Sequence, residues 1–231
     1  MEELKILFED RDILVAVKPE GVDSEAAKGL VPDMVNLVRS HLSRGQGEPY
    51  VGLIQRLDRP VTGIMVFAKN KESAAALSKE LKDGGMGKRY RAVLCGQPKD
   101  KQGTLSDFLV KDEKTNLTRV GKKGDRGAKN AELNYTVIQK KYTDGERISE
   151  VEIELLTGRH HQIRVQFASH GMPLMGDRKY NPAFAGAAKG GAAATELGRH
   201  LCLCNTELSF THPKTRKRMT FRISAPFEAL L

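Results

Sequence analysis

Gln55-Arg56-Leu57-Asp58-Arg59-Pro60-Val61-Thr62-Gly63-Ile64 is the stretch that decides how this sequence is read. A carboxylate stands between two arginines, Pro60 and Gly63 shape the backbone after it, and the apolar run Ile64-Met65-Val66-Phe67 follows at once. Large apolar residues in unbroken succession need cover on both faces, which predicts a buried strand over 62–69. Asp58 is therefore expected in a turn just ahead of that strand, where the flanking positive charge favours an ionised carboxylate. A surface turn with ordinary ion pairs would carry the same residues, so the stretch alone does not separate a chemical role from a structural one.

Upstream, short apolar runs at 6–8 and 13–18 flank Glu9-Asp10-Arg11-Asp12 and predict a hairpin that Pro19 ends. Asp33 is placed to cap a helix through 42, with Val35, Leu37, Val38 and Leu42 as its apolar positions and Gly45 just past its end. The polar stretch 44–49 reads as a loop. Downstream, Asn70 caps an alanine-rich helix to about 81. Gly84, Gly85 and Gly87 break that helix, and 89–94 reads as a strand.

From about 97 to 130 the chain turns polar and lysine-rich, with weak strand signals near Phe108 and Leu117. It reads as an excursion with mobile loops on the same domain. Alternation at Leu133, Tyr135 and Val137, and again at Val151, Ile153 and Leu155, predicts a second antiparallel hairpin. Residues 160–170 fit two periods, since Ile163, Val165 and Phe167 alternate while Ile163 and Phe167 share a helical face. Gly171 tips the reading to a helix that stops there. An Ala/Gly-rich surface loop over 183–194 is followed by strands at 201–210 and 219–223. The expectation is one α+β domain over 1–231, a mostly antiparallel mixed sheet flanked by helices and loops.

Composition narrows the classes. Of 231 residues 39% are hydrophobic and 29% charged, the range of a soluble globular chain rather than a disordered or fibrous one. No window approaches the roughly 18 apolar residues of a membrane span. The first nine residues carry three glutamates and no apolar stretch of signal-peptide type, so export is not expected. Three cysteines, Cys95, Cys202 and Cys204, are too few for a disulfide scaffold, and the expected setting is the reducing cytoplasm. The net charge of +9 is clustered: seven basic residues against three acidic ones over 111–129, and five basic with no acid over 214–222. Clustered positive charge is the footprint of a protein that meets phosphate backbones, although a solvated basic surface would look the same.

Several familiar sites are incomplete. Gly87-Lys88 is followed by Arg89, without the Ser/Thr of a phosphate-binding P-loop. Cys202 and Cys204 would share a strand face, but no second pair completes a zinc set, and buried thiols are expected. His160 and His161 should diverge on a helix or strand, and Arg164 and Val165 occupy the positions a histidine partner would need, so no metal is expected. A second polar constellation, Thr157-Gly158-Arg159-His160-His161-Gln162-Ile163-Arg164-Val165, places Arg and His donors at a helix start. That suits anion capture, and equally a capped helix with solvated charges.

Taken together, these stretches resemble the RluA-type RNA pseudouridine synthases. Residues 55–64 are similar to that family's His-Arg-Leu-Asp-Arg-x-Thr/Ser-Ser/Thr-Gly-Leu signature. The first hairpin with Lys18, Pro19 and Gly21 is similar to its opening motif, and Lys88-Arg89-Tyr90-Arg91-Ala92 to its Lys-x-Tyr-x-Ala motif. Residues 157–165, then Gly171-Met172-Pro173-Leu174-Met175-Gly176-Asp177 and Tyr180, resemble Thr-Gly-Arg-x-His-Gln-Ile-Arg and the Gly-x-Pro-Ile-x-Gly-Asp after it. Leu208-Ser209-Phe210-Thr211-His212-Pro213 is similar to a closing motif. The matches run in family order across nearly the whole chain. Gln55 stands where the family usually has His, and Cys204 where a His is common.

The resemblance implies the pseudouridine-synthase fold without the small S4-type RNA-binding domain that many relatives carry. It implies an isomerase that detaches uracil from ribose at N1, turns it and rejoins it through C5, with no cofactor. Asp58 would be the essential catalyst, attacking C1′ or taking a proton from C2′. Arg164 would hold its charge, and Tyr90 would lie against the target base. Because a uridine in a helix hides its glycosidic bond, the nucleotide must be flipped out, and Arg56 would fill the gap. Arg59, Thr62, Arg159, His161, Lys122, Lys123, Lys214 and Arg216 are the further candidates for RNA contact, the charged ones through phosphates. The implied partner is ribosomal or transfer RNA, bound by a monomer with no membrane association. A non-catalytic RNA-binding or remodelling protein on the same fold is the alternative.

Overall fold

In a computed structural model of the chain, the described residues are 4–26, 33–43, 47–143, 146–185 and 196–231. They gather into two compact units that share the sequence unevenly, Met1–Lys88 with Asn205–Ser224, and Arg89–Cys204 with Ala225–Leu231.

The first unit opens with the expected hairpin, β1 (Ile6–Glu9) and β2 (Ile13–Lys18), paired antiparallel. The tight link between them is held by Asp10, whose Oδ1 accepts the N–H groups of Asp12 and Ile13. Helix α1 (Met34–Ser43) follows, and Asp33 Oδ1 accepts the Asn36 N–H at 2.7 Å as its N-cap. Gly45, the expected stop, lies outside the described residues. The short β3 (Gly52–Leu53) and the long β4 (Thr62–Ala68) pair antiparallel, and β4 also pairs antiparallel with β2. Ile64 to Ala68 are all fully buried, which explains why this run shows no alternation. Helix α2 (Lys71–Lys82) is capped by Asn70, whose side chain accepts the Ser73 N–H at 2.8 Å. Glu72 in its first turn and Lys79 and Lys82 in its last complement the helix dipole.

The second unit begins as β5 (Gly87–Cys95) leaves the first, and its sheet runs β5, β9 (Glu146–Leu155), β8 (Lys129–Thr143), β6 (Gln102–Asp112), β7 (Leu117–Gly121). All these neighbours pair antiparallel. The polar stretch 97–130 is therefore far more regular than its composition suggests. It supplies an 11-residue strand and its hairpin partner, a ribbon seated by the buried Leu105, Leu109 and Thr118, with most other positions in water. Helix α3 (Gln162–Ser169) ends before Gly171, whose φ of +74° takes the chain out of the helix as expected.

The last two strands, β10 (Leu203–Thr211) and β11 (Arg218–Arg222), form a hairpin, and β10 lies beside β4. The core of the first unit is then Ile13, Val15, Ile64, Val66, Leu77, Leu208 and Phe210, packed between α2 and the sheet. In the 183–194 stretch the described part is a short 3₁₀ turn, Pro182–Phe184, with Phe184 buried, and 186–194 lie outside the described residues. The three cysteines are free, and burial pushes the Cys204 thiol up to about 12. No helix among the described residues is long and apolar enough to cross a membrane.

Candidate active site

Asp58 sits in the first unit on the link from β3 to β4. The link is fastened by its apolar members, since Ile54, Leu57 and Val61 are buried while Arg56 and Arg59 reach into water. Ser24 grips Leu57 twice: its hydroxyl donates to the Leu57 carbonyl (2.8 Å) and accepts the Leu57 N–H (3.0 Å). Val61 N–H donates to the Asp58 carbonyl at 2.9 Å and closes a turn. Asp58 itself is half-buried. Two residues after the turn ends, Gly63 (φ +154°) lies so close to β10 that a Cβ there would meet Asn205 Cβ at 2.5 Å. Only glycine fits that crossing.

Beneath the turn lies Lys18, a fully buried cation. Its ammonium donates to the carbonyls of Pro19 (2.8 Å), Val22 (2.7 Å) and Arg59 (3.0 Å). Burial pushes its pKa down to about 8, against the attraction of Asp23, Asp58 and Glu20. Gly21 and Arg59 add two reciprocal bonds, Gly21 N–H to the Arg59 carbonyl (2.9 Å) and Arg59 Nε to the Gly21 carbonyl (3.0 Å). The opening Lys-Pro-x-Gly stretch thus forms the seat of the Asp58 turn. Of the flanking arginines, Arg56 pairs with Glu25 (2.5 Å), and Arg59 stands 3.9 Å from Asp23. Thr62 is the partly exposed first residue of β4. Lys214 and Arg216 are exposed in the β10–β11 turn, held by His212, whose Nδ1 accepts the N–H groups of Lys214 and Thr215.

Tyr90, Arg159, His161, Arg164, Lys122 and Lys123 belong to the second unit. Tyr90 lies buried on β5, opposite Ile153 of β9. Arg164 is buried on α3 and grips the fully buried Asp177 with two bonds, Nε to Oδ2 (2.8 Å) and Nη2 to Oδ1 (2.7 Å). Burial alone would raise the Asp177 pKa, but Arg164 and the N–H groups of Lys179 and Tyr180 hold it below the usual value.

The chain delivers Asp177 to that position with some precision. Met175 N–H donates to the Val93 carbonyl and Cys95 N–H to the Pro173 carbonyl, both at 2.8 Å, laying 173–175 along β5. Gly176 (φ +73°) then passes the His200 carbonyl so closely that a Cβ would lie 1.8 Å from its oxygen.

Helix α3 is buried nearly all round, which is why its sequence shows no clear amphipathic face. Its glutamines are tied into the fold: Gln162 Oε1 accepts from Thr157 and the Arg159 N–H, and Gln166 Nε2 donates to Asp107, while Gln166 Oε1 is buried with no hydrogen-bond partner among the described residues. At the helix start the Arg159 N–H donates to Gln162 Oε1, while the exposed Arg159 side chain donates through Nε to the Asn130 carbonyl. His160 and His161 do not diverge. His161 takes the left-handed conformation (φ +51°), which belongs to neither helix nor strand, and the two rings stack 3.7 Å apart. His161 is buried with Nδ1 2.6 Å from the Tyr180 hydroxyl, while Arg159, Lys122 and Lys123 are exposed.

A cluster the sequence did not single out is Asp10, Asp12 and His212, close enough for a shared cation. Their atoms are already used. Asp10 Oδ2 faces His212 Nε2 (2.8 Å), and Asp12 Oδ1 accepts from Asn70 (3.0 Å), so we read the cluster as a tie among three loops.

Comparison with known proteins gives concordant matches. A family profile described as RNA pseudouridylate synthase covers residues 12–169. The chain is 32% identical over 228 residues to an uncharacterized RNA pseudouridine synthase, YhcT, of Bacillus subtilis (strain 168), covering 98% of this chain and 70% of that protein. It is 30% identical over 230 residues to the ribosomal large subunit pseudouridine synthase D of Zymomonas mobilis subsp. mobilis, covering 96% and 69%. Among solved structures, human RNA pseudouridylate synthase domain containing 1 shares the fold with a TM-score of 0.77 at 22% identity, covering 100% of this chain and 86% of that one.

Proposed function

Since the chain belongs to the RluA-type RNA pseudouridylate synthases, isomerases that convert uridine in RNA to pseudouridine, we propose that Asp58 is the catalytic group of this protein and that structured ribosomal RNA is its substrate. The observation that carries the first part is the seating of the Asp58 turn. Lys18, Ser24, Gly21 and Gly63 fix its backbone while the carboxylate stays half-buried between two outward-facing arginines. A turn that served only to connect two strands would need none of this. The names of relatives that act on the ribosomal large subunit support the second part.

The reaction breaks the N1–C1′ bond and forms a C5–C1′ bond; C5 releases its hydrogen as a proton and N1 gains one. Electrons balance within the nucleotide, so the residues need to position, hold charge and move protons. A carboxylate on a rigid turn can attack C1′ or take the C2′ proton, and either role calls for a fixed, ionised group. By resemblance Tyr90 faces the base and Arg164 supplies the positive charge. Arg56, exposed beside Asp58, suits insertion into the gap left by a flipped nucleotide. Arg59, Arg159, Lys122, Lys123, Lys214 and Arg216 are exposed and suited to phosphates.

The test is tritium release from ribosomal RNA labelled at uridine C5. Wild-type protein should release tritium, and Asp58→Asn should bind RNA but lose turnover by a factor of about 10² or more. Binding without release by the wild type would favour the non-catalytic alternative.

A further inference from the structure

The Tyr180 side chain stands between two features that the proposed function uses separately. Its ring lies under the Arg164 guanidinium, 5.3 Å from centroid to carbon, within the range where a cation is attracted to an aromatic face. Its hydroxyl accepts the Thr118 N–H of β7 at 2.8 Å and meets His161 Nδ1 at 2.6 Å. Burial raises the Tyr180 pKa, so the hydroxyl keeps its proton and can donate to His161 while accepting from Thr118.

Two further bonds run the same way. Thr118 Oγ1 meets His160 Nδ1 at 2.8 Å, and Lys179 Nζ donates to the Asn116 carbonyl at 3.2 Å. The segment that delivers Asp177 to Arg164 is thus fastened to the β6–β7 ribbon. The same ring packs on Leu109, Ala131 and Val165, which joins ribbon, sheet and helix α3 in one small core. The left-handed backbone at His161, unusual outside glycine, is held where its ring can reach the hydroxyl.

We propose that Tyr180 is a positioning residue with two separable jobs, its hydroxyl docking the lysine-rich β6–β7 ribbon and its ring face setting the Arg164 guanidinium. The ribbon's hold on RNA and the orientation of Arg164 are thereby linked. This rests on the reading above, in which the ribbon's cations meet RNA and Arg164 serves the reaction.

The experiment compares Tyr180→Phe with Tyr180→Leu, using ribosomal RNA transcribed with C5-tritiated uridine, with RNA Kd and kcat measured separately. Tyr180→Phe keeps the ring and loses the hydroxyl, so RNA binding should weaken roughly fivefold or more with kcat nearly kept. Tyr180→Leu loses both, and kcat should fall about tenfold or more besides. Equal behaviour of the two variants, or a kcat loss with unchanged Kd in Tyr180→Phe, overturns the proposal. If Tyr180→Leu does not fold, Lys122→Ala/Lys123→Ala in the Tyr180→Phe background decides. A cost to RNA binding smaller than in the wild-type background supports the docking role, and full additivity rejects it. Should the wild type bind RNA but release no tritium, the catalytic reading fails on its own, and the Kd comparison still judges the hydroxyl.

Discussion

Arg164 meets Asp177 through two parallel bonds in a buried setting, and neither side chain reaches bulk solvent. The guanidinium expected to serve the reaction is therefore oriented by a carboxylate thirteen residues further along the chain. Replacing Asp177 by Asn removes the buried carboxylate that Arg164 grips with two bonds. The variant should lose about 3–5 kcal/mol of stability, read from denaturant midpoints. Turnover of the folded fraction should fall as well, because Arg164 loses its fixed geometry. An unchanged midpoint would show that other groups hold Arg164.

Within the first unit, Lys18 is the anchor of the Asp58 turn. Lys18→Met fits the same space but takes the ammonium donor from the carbonyls of Pro19 and Val22, at about 1–3 kcal/mol each where water cannot replace it, while the Arg59 carbonyl keeps the Gly21 N–H. Destabilisation of several kcal/mol is expected in urea, with RNA affinity of the folded protein little changed. If Lys18→Met is as stable as wild type, the carbonyl cage does not seat the Asp58 turn.

Gly63→Ala tests the crossing behind Asp58. The added methyl would press on the Asn205 backbone and side chain, and the φ of +154° disfavours any L side chain. A loss of about 1–3 kcal/mol is expected, with reduced turnover, measured by thermal unfolding and tritium release.

Acid should unfold the protein through identifiable groups. Glu9 is held below its ordinary 4.5, and Asp10 and Asp177 below 3.8. Burial opposes this in all three. It is overcome by Lys69 and His41 at Glu9, by the Ile13 and Asp12 N–H groups and His212 at Asp10, and by Arg164 at Asp177. Each folded-state pKa lies below its unfolded value, so the folded state binds fewer protons. The resulting stability is present above the unfolded values and lost as pH falls through the folded ones. Denaturant midpoints should hold down to about pH 5 and decline below about 4.5, with a shallower decline in Asp177→Asn.

Binding to RNA should weaken steeply with salt, since each phosphate contact contributes about −0.7 to −0.9 to the slope of log K against log salt. Lys122→Ala/Lys123→Ala should reduce that slope by roughly one to two. A slope unchanged by the double substitution would remove the ribbon from the RNA-binding surface.

What the sequence made legible was local. The β1–β2 hairpin, the Asn70 cap and the Gly171 stop follow from residues within a few positions of each other, and all three stand where the pattern places them. The ribbon was harder to read, because Leu105, Leu109 and Thr118 are too sparse to mark a strand and partners on β8 align it. The motif stretches marked Asp58, Arg164, Asp177 and Tyr180 but said nothing of the grip between Arg164 and Asp177, a contact made by tertiary folding. Nor could any periodicity show that Lys18, at the end of an apolar strand, is buried whole. The stacking of His160 on His161 escaped for another reason: it depends on one left-handed residue, which a period of 2.0 or 3.6 does not represent.

The first unit is assembled from both arms of the sequence, 4–88 and 205–224. During synthesis, a nascent polypeptide that has emerged only as far as residue 200 already contains the loop that carries Asp58. It still lacks the strand whose Asn205 backs Gly63. Products that end at that length should be unable to seat the loop, because the strand that closes this unit is made last.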